Sequence, residues 1–124
     1  MKEEYVTYEQ SQALKRLGFR DEVFGYYDEF GRLGVQAQTD YNVNWDYFIS
    51  APTLSHAQKW LREVKGIHVE PHFQYGTIFK VVIQSETKYL YKTLDKGYDT
   101  YELALSAGID AALELLTNKL KNNG

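Results

Sequence analysis

The chain has no cysteine in its 124 residues, which removes disulfides, thiolate zinc sites and cysteine nucleophiles together. No residue demands an oxidising compartment, and a cytoplasmic location is expected. Proline occurs only twice, so no Pro-rich linker divides the chain. The longest strongly apolar run is Val81-Val82-Ile83, too short for a signal core or a membrane span. Excess positive charge is also missing: the net charge is -3 with a pI near 5.6, and Lys59, Arg62 and Lys65 alternate with acids such as Glu63. No electrostatic footprint for a phosphate backbone results, and nucleic acid is disfavoured as a partner.

No glycine-rich turn leads from a strand into a helix to cradle phosphate, and no serine stands in a nucleophile-elbow context. The chain is expected to be no enzyme and to need no cofactor.

Aromatic residues are abundant: eleven Tyr, six Phe and two Trp make 15% of the chain. That is more than a core of this size readily absorbs, so some rings should reach the surface, where Tyr serves as a low-entropy contact residue. The length suits a single domain with one core.

Periodicity divides residues 1–124 into three stretches of one α+β domain. Over 7–39, Thr7 and Gln10 are placed to form a reciprocal capping box for a helix with Ala13, Leu14 and Leu17 on one side and Gly18 at its end. Two β-prone runs around Asp28-Glu-Phe-Gly31 then read as a hairpin. Residues 40–52 mix aromatics with Asp and Asn and show no sustained period, which predicts a loop ending in one short strand.

Residues 53–121 read as an α-β-β-β-α unit. Thr53 or Ser55 caps a helix whose Leu54, Ala57, Leu61 and Val64 recur at helical spacing before Gly66 stops it. Ile67 to Phe73 alternates and contains Pro71, which suggests an edge strand. Thr77 to Gln84 is rich in β-branched residues, which suggests a central strand covered on much of both faces. A third strand spans Lys88 to Leu94. Asp99 with Glu102 opens a last helix to about Lys121, with Leu105, Ile109, Ala112, Leu113, Leu116 and Leu120 as its buried stripe. Ala104, Gly108 and Ala111 form an adjoining small-residue side, expected to press against the sheet. Consecutive strands with tight turns predict an antiparallel sheet with helices packed on one face.

The segments Leu14-Lys-Arg-Leu-Gly-Phe19, Tyr26-Tyr-Asp-Glu-Phe-Gly-Arg-Leu33, Ala51-Pro-Thr-Leu-Ser-His-Ala-Gln-Lys-Trp-Leu-Arg-Glu63 and Tyr101-Glu-Leu-Ala-Leu105 together resemble a family of small uncharacterised proteins encoded by phages and prophages of gut anaerobic bacteria. The block from Ala51 to Glu63, followed by Lys65-Gly66-Ile67, is its best marker. The resemblance implies a phage-associated accessory role and carries no catalytic residues with it.

Three features carry candidate chemistry. His68, Glu70 and His72 fall on one strand face, where two imidazoles and a carboxylate could ligate a metal. The same residues are what the solvent face of an edge strand should carry, and no second cluster closes a four-ligand shell. His56 lies one turn before Trp60, where a surface histidine beside a half-buried indole is expected. The stretch from Tyr41 to Phe48 has the composition of a contact surface, with Tyr41, Asn42, Asn44, Trp45 and Tyr47 as its candidate residues: rigid amphipathic rings beside adaptable amides. Against this, Trp45, Tyr47 and Phe48 can fold back to cap the core, which the usual burial of large aromatics favours.

The leading functional expectation is a non-catalytic domain binding an unknown protein partner or forming a homodimer. A double-stranded-RNA-binding domain shares the α-β-β-β-α order but needs lysines where this last helix begins Asp99-Thr-Tyr-Glu102. A small metal-dependent hydrolase built on His68, Glu70 and His72 is the third reading.

Overall fold

The structure, a computed structural model, describes residues 4–74, 76, 78–86 and 91–123, with side chains described for all of these except Tyr91 and residues 119–123. The chain begins with α1 (Tyr8–Arg16), and both halves of the expected capping box form. Gln10 N donates to Thr7 Oγ1 at 3.1 Å, and Thr7 N donates to Gln10 Oε1 at 2.8 Å. A capped helix end has two fewer orphan donors, so this short helix starts at a fixed point.

The hairpin follows as β1 (Val23–Tyr27) and β2 (Leu33–Thr39). Asp28 fixes its turn. One carboxylate oxygen accepts from Phe30 N and Arg32 N, and the other pairs with Arg32 Nε at 2.8 Å. The backbone N–H of Arg32 is the foremost cause holding the Asp28 carboxyl below its ordinary pKa, against a smaller desolvation effect. Gly31 completes the turn at φ 77, a left-handed conformation that a side chain would resist. A short helix α2 (Tyr41–Asn44) and β3 (Ile49–Ser50) follow, where a loop with one short strand is expected from sequence.

The C-terminal unit runs α3 (Leu54–Lys65), β4 (Ile67–Gln74), β5 (Ile78–Ser85), β6 (Tyr91–Thr93) and α4 (Tyr101–Asn123). Residues 88–90 of the expected third strand lie outside the described residues, as does the side chain of Leu120. Thr53 caps α3 by accepting from His56 N, and Gly66 ends it at φ 67.

The α+β class holds, and the strands divide between two antiparallel sheets of order β2-β1-β3 and β4-β5-β6. In the second, β4 is at the edge and β5 at the centre, as the sequence implies. Val69 O accepts from Gln58 Nε2 on the side away from β5, whereas Gly66 O accepts from Glu86 N on the β5 side. Alternation then puts the backbone of Pro71 on the free side, where its missing N–H forfeits no ladder bond.

Helices α3 and α4 cover one face of this sheet, burying Ile67, Val69, Val81 and Ile83. The other face carries His68, Glu70 and Gln84 toward solvent, so β5 is covered on one face and not on both. Gly108 sits where α4 crosses the sheet: a Cβ there would lie 2.5 Å from Val69 Cγ1 and 2.6 Å from Val81 Cγ2. The small-residue side of α4 therefore does press against the strands.

On α3 the expected stripe is corrected at one position. Val64 is 60% exposed, and Trp60, expected half-buried, is in the core at 4%. The larger indole removes more apolar area from water, and it packs edge-on against Phe19 at 5.4 Å. The two halves of the chain meet where α1 packs on α4. Gln10 Nε2 donates to Ser106 O, Ser106 Oγ and Asp110 Oδ1, the last at 2.8 Å.

Candidate interaction surface

The stretch from Asp40 to Ser50 is built around one buried ring. Asp40 caps α2 by accepting from Asn42 N, and its carboxylate also pairs with Arg20 Nε at 2.9 Å. Tyr41, next in the chain, is 2% exposed and lies beside Tyr26, Trp45 and Phe48 with ring centroids 5.1 to 6.3 Å apart. Its hydroxyl donates to Ala37 O and its N–H donates to Ser50 Oγ. Burial pushes the Tyr41 phenol above its ordinary pKa, with Tyr26 adding to the shift.

Of the five residues expected to form a contact surface, two are corrected. Tyr41 is core, because its ring packs against three others while its hydroxyl keeps a hydrogen bond to Ala37 O, so burial removes apolar area from water and strands no polar group. Asn42 is structural: Nδ2 donates to Phe19 O at 2.8 Å and Oδ1 accepts from Ser50 N at 2.9 Å, so its amide ties two segments together. Asn44 is exposed, with its amide on Thr39 Oγ1 at 3.0 Å. Trp45 and Tyr47 do reach solvent, at 42% and 70% exposure. The partly exposed Trp45 ring contacts the buried Tyr41 ring, centroids 5.1 Å apart.

The structure adds residues that composition did not single out. Twelve large hydrophobic side chains are exposed among the described residues, and seven of them come from residues 24–47: Phe24, Phe30, Leu33, Val35, Val43, Trp45 and Tyr47. Phe24, Leu33 and Val35 belong to the first sheet, Phe30 to the turn between its strands, and Val43, Trp45 and Tyr47 to α2 and the segment after it. The available signal was the hairpin's own run of apolar residues, Phe24, Phe30, Leu33 and Val35.

The candidate metal ligands do not form a ligand set. His68, Glu70 and His72 share a strand face, yet among the described residues no three His, Asp or Glu side chains converge on one point. His68 Nε2 is engaged by Glu86 Oε1 at 2.6 Å, beside a shallow groove of about 220 Å³ that Glu70 and Gln84 also line. Alternate residues on one extended strand stand roughly 7 Å apart, too far to close a shell without a second element bringing ligands.

His56 has acquired a partner that its sequence position does not reveal. Its Nε2 lies 2.9 Å from Asp21 Oδ2, in an open groove of about 580 Å³ that runs along α3. The neighbouring Ser55 hydroxyl is 3.3 Å from Thr53 Oγ1, and among the described residues no hydroxyl bonds to the imidazole ring. The His56–Asp21 pair ties α3 to the segment entering β1. No protein-family model, curated protein or solved structure matches the chain. No helix among the described residues is long and apolar enough to cross a membrane.

Proposed function

We propose that this chain is a non-catalytic accessory domain that works in the cytoplasm by protein–protein contact, itself included, through the N-terminal sheet and the Trp45–Tyr47 segment. The observation that carries this reading is the clustering of seven exposed large hydrophobics within residues 24–47, on a scaffold whose own core is complete without them. Exposed apolar side chains scattered singly need no explanation; the reading takes these seven, which come from one stretch of chain, as the residues of a contact surface. A phage or prophage setting rests on the resemblance of the Leu14–Phe19, Tyr26–Leu33 and Ala51–Glu63 segments.

Two other classes fare less well. The order α3-β4-β5-β6-α4 is that of a double-stranded-RNA-binding domain, but the first turn of α4 contributes Glu102 and no base. Phosphate neutralisation supplies most of the affinity of such domains, and an acidic start opposes it. A hydrolase would need a metal shell or an activated nucleophile; among the described residues no three potential ligands converge, and no hydroxyl bonds to the His56 ring.

The test is capture of a partner by the full chain and by a Trp45→Ala, Tyr47→Ala double variant whose fold is first verified by circular dichroism. Both side chains are exposed, so folding should survive. A partner retained by the parent and lost by the variant supports the reading. Equal capture, or none, overturns the role of these rings.

A further inference from the structure

The second sheet carries a row of aromatic rings at the end where α4 begins. Phe73 on β4 pairs directly with Phe79 on β5, and Phe79 pairs in turn with Tyr98, between β6 and α4. Phe79 N donates to Tyr98 O and Tyr98 N donates to Phe79 O, both at 2.8 Å. Directly opposed residues of antiparallel segments project to one side, so the three rings lie in a row across the sheet. Phe73 shares its strand face with the buried Ile67 and Val69, yet it is 64% exposed, so the face is left open at this end. Tyr101, the first residue of α4 and 40% exposed, closes the row from the helix side. Its ring meets Phe79 at 90° with centroids 6.1 Å apart, and Phe73 meets Phe79 at 71° and 5.5 Å.

We propose that this aromatic row binds lysine side chains of a partner polypeptide, taking up their alkylammonium groups over the rings. It is a second contact surface, on the other sheet from the Trp45–Tyr47 segment, and it does not depend on that segment's role.

Two observations select the ligand. Aromatic faces attract cations through the ring quadrupole, and one alkylammonium already rests here: Lys96 Nζ stands over the Tyr98 ring, 5.5 Å from its centroid. The surrounding charge has the matching sign. Asp95, Asp99 and Glu102 are exposed, and none of the ion pairs among the described residues uses them. Leu103 N donates to Thr100 Oγ1 at 3.1 Å, so the head of α4 is capped without the Asp99 carboxylate. Lys80, next to Phe79 on β5, projects to the opposite face and donates to Asp95 O. Lys92 pairs with Ile83, four residues along β5 from Phe79 and roughly 13 Å away. Rings edged by unpaired carboxylates favour a cation on an aliphatic stem over a purely apolar partner. Steeply inclined rings also present faces in several directions, which suits a compact ammonium better than a planar guanidinium that stacks on one face.

The probe is the peptide acetyl-Gly-Lys-Gly-amide, titrated into the full chain while the aromatic NMR signals of Phe73, Phe79, Tyr98 and Tyr101 are followed. Saturable shifts at these rings with a millimolar Kd are expected, since exposed cation–π contacts are individually weak. The Nε-acetylated peptide keeps the stem and loses the charge, and should bind at least about fivefold more weakly. Phe73→Leu keeps an apolar side chain without a ring and should weaken binding about threefold. Lys96→Gln vacates the place over Tyr98 and should strengthen binding about twofold. Phe73 and Lys96 are exposed, so both variants should fold, and the dispersion of their remaining NMR signals verifies it.

No saturable shift up to about 0.1 M peptide, equal affinity for the acetylated peptide, or a Phe73→Leu chain that binds as its parent does would overturn the site. Tighter binding of acetyl-Gly-Arg-Gly-amide would overturn the choice of lysine. The Trp45→Ala, Tyr47→Ala variant leaves these four rings in place, so loss of partner capture there and loss of peptide binding here are read separately.

Discussion

Replacing Gly108 by alanine gives opposite predictions depending on whether α4 is viewed alone or in its packed position. On a free helix the change stabilises by about 1 kcal/mol, because glycine sacrifices more backbone entropy than alanine on entering a helix. Against the sheet, the new methyl would lie 2.5 Å from Val69 Cγ1 and 2.6 Å from Val81 Cγ2. Carbon atoms pack best about 3.5–4.0 Å apart, so the helix would have to retreat from two strands at once by about 1 Å. Valine side chains have few rotamers in which to yield. Overpacking of this kind costs about 1–3 kcal/mol, which offsets or outweighs the helical gain of about 1 kcal/mol and leaves a net loss of up to about 2 kcal/mol.

Urea unfolding followed by circular dichroism would measure it, with an unchanged m-value as the sign that the native fold is retained. In a double-mutant cycle, Gly108→Ala combined with Val81→Ala should cost less than the two changes summed, since the vacated γ-carbons make room for the methyl. A Gly108→Ala chain more stable than its parent would refute the close approach of α4 to the sheet.

Two further expectations concern polar groups. The Ser11 side chain is fully buried, and its hydroxyl has no hydrogen-bond partner among the described residues. Ser11→Ala should therefore raise stability by about 1 kcal/mol in the same unfolding assay, combining a relieved desolvation penalty with better helix propensity, and a loss would mean that the hydroxyl is bonded in solution. Asp110 is exposed as a residue, yet partial desolvation of its carboxyl beside Gln10 raises it above its ordinary pKa, with a smaller opposing effect from the Gln10 hydrogen bond and further upward effects from Glu9 and Glu114. A raised carboxyl favours folding most below its unfolded value of about 3.9, and that contribution is lost as pH rises through the folded value. Asp110→Asn keeps the acceptor for Gln10 without the charge. It should be more stable than the parent at neutral pH, with the difference closing below about pH 4, and equal melting temperatures at pH 7 would refute the assignment.

Local signals in the sequence were sufficient wherever one residue type had one physical reason. Thr7 with Gln10, Gly31 in its turn, Thr53 and Gly66 around α3, and Pro71 on an edge strand all stand where capping, left-handed backbone and a missing N–H require them. The α+β class followed from the same punctuation, as did the close packing at Gly108. Tertiary structure decided the rest. Trp60 displaced Val64 from the core, and Tyr41 turned inward while Trp45 and Tyr47 turned out, because burial depends on which neighbouring rings are at hand and not on composition. The partners of His56 and His68 come from Asp21 and Glu86, 35 and 18 residues away in the chain, so no local pattern could announce them. The division of the described strands between two sheets was likewise beyond reading: strand periodicity says which face of a strand is buried, whereas the choice of sheet depends on contacts between segments far apart in sequence.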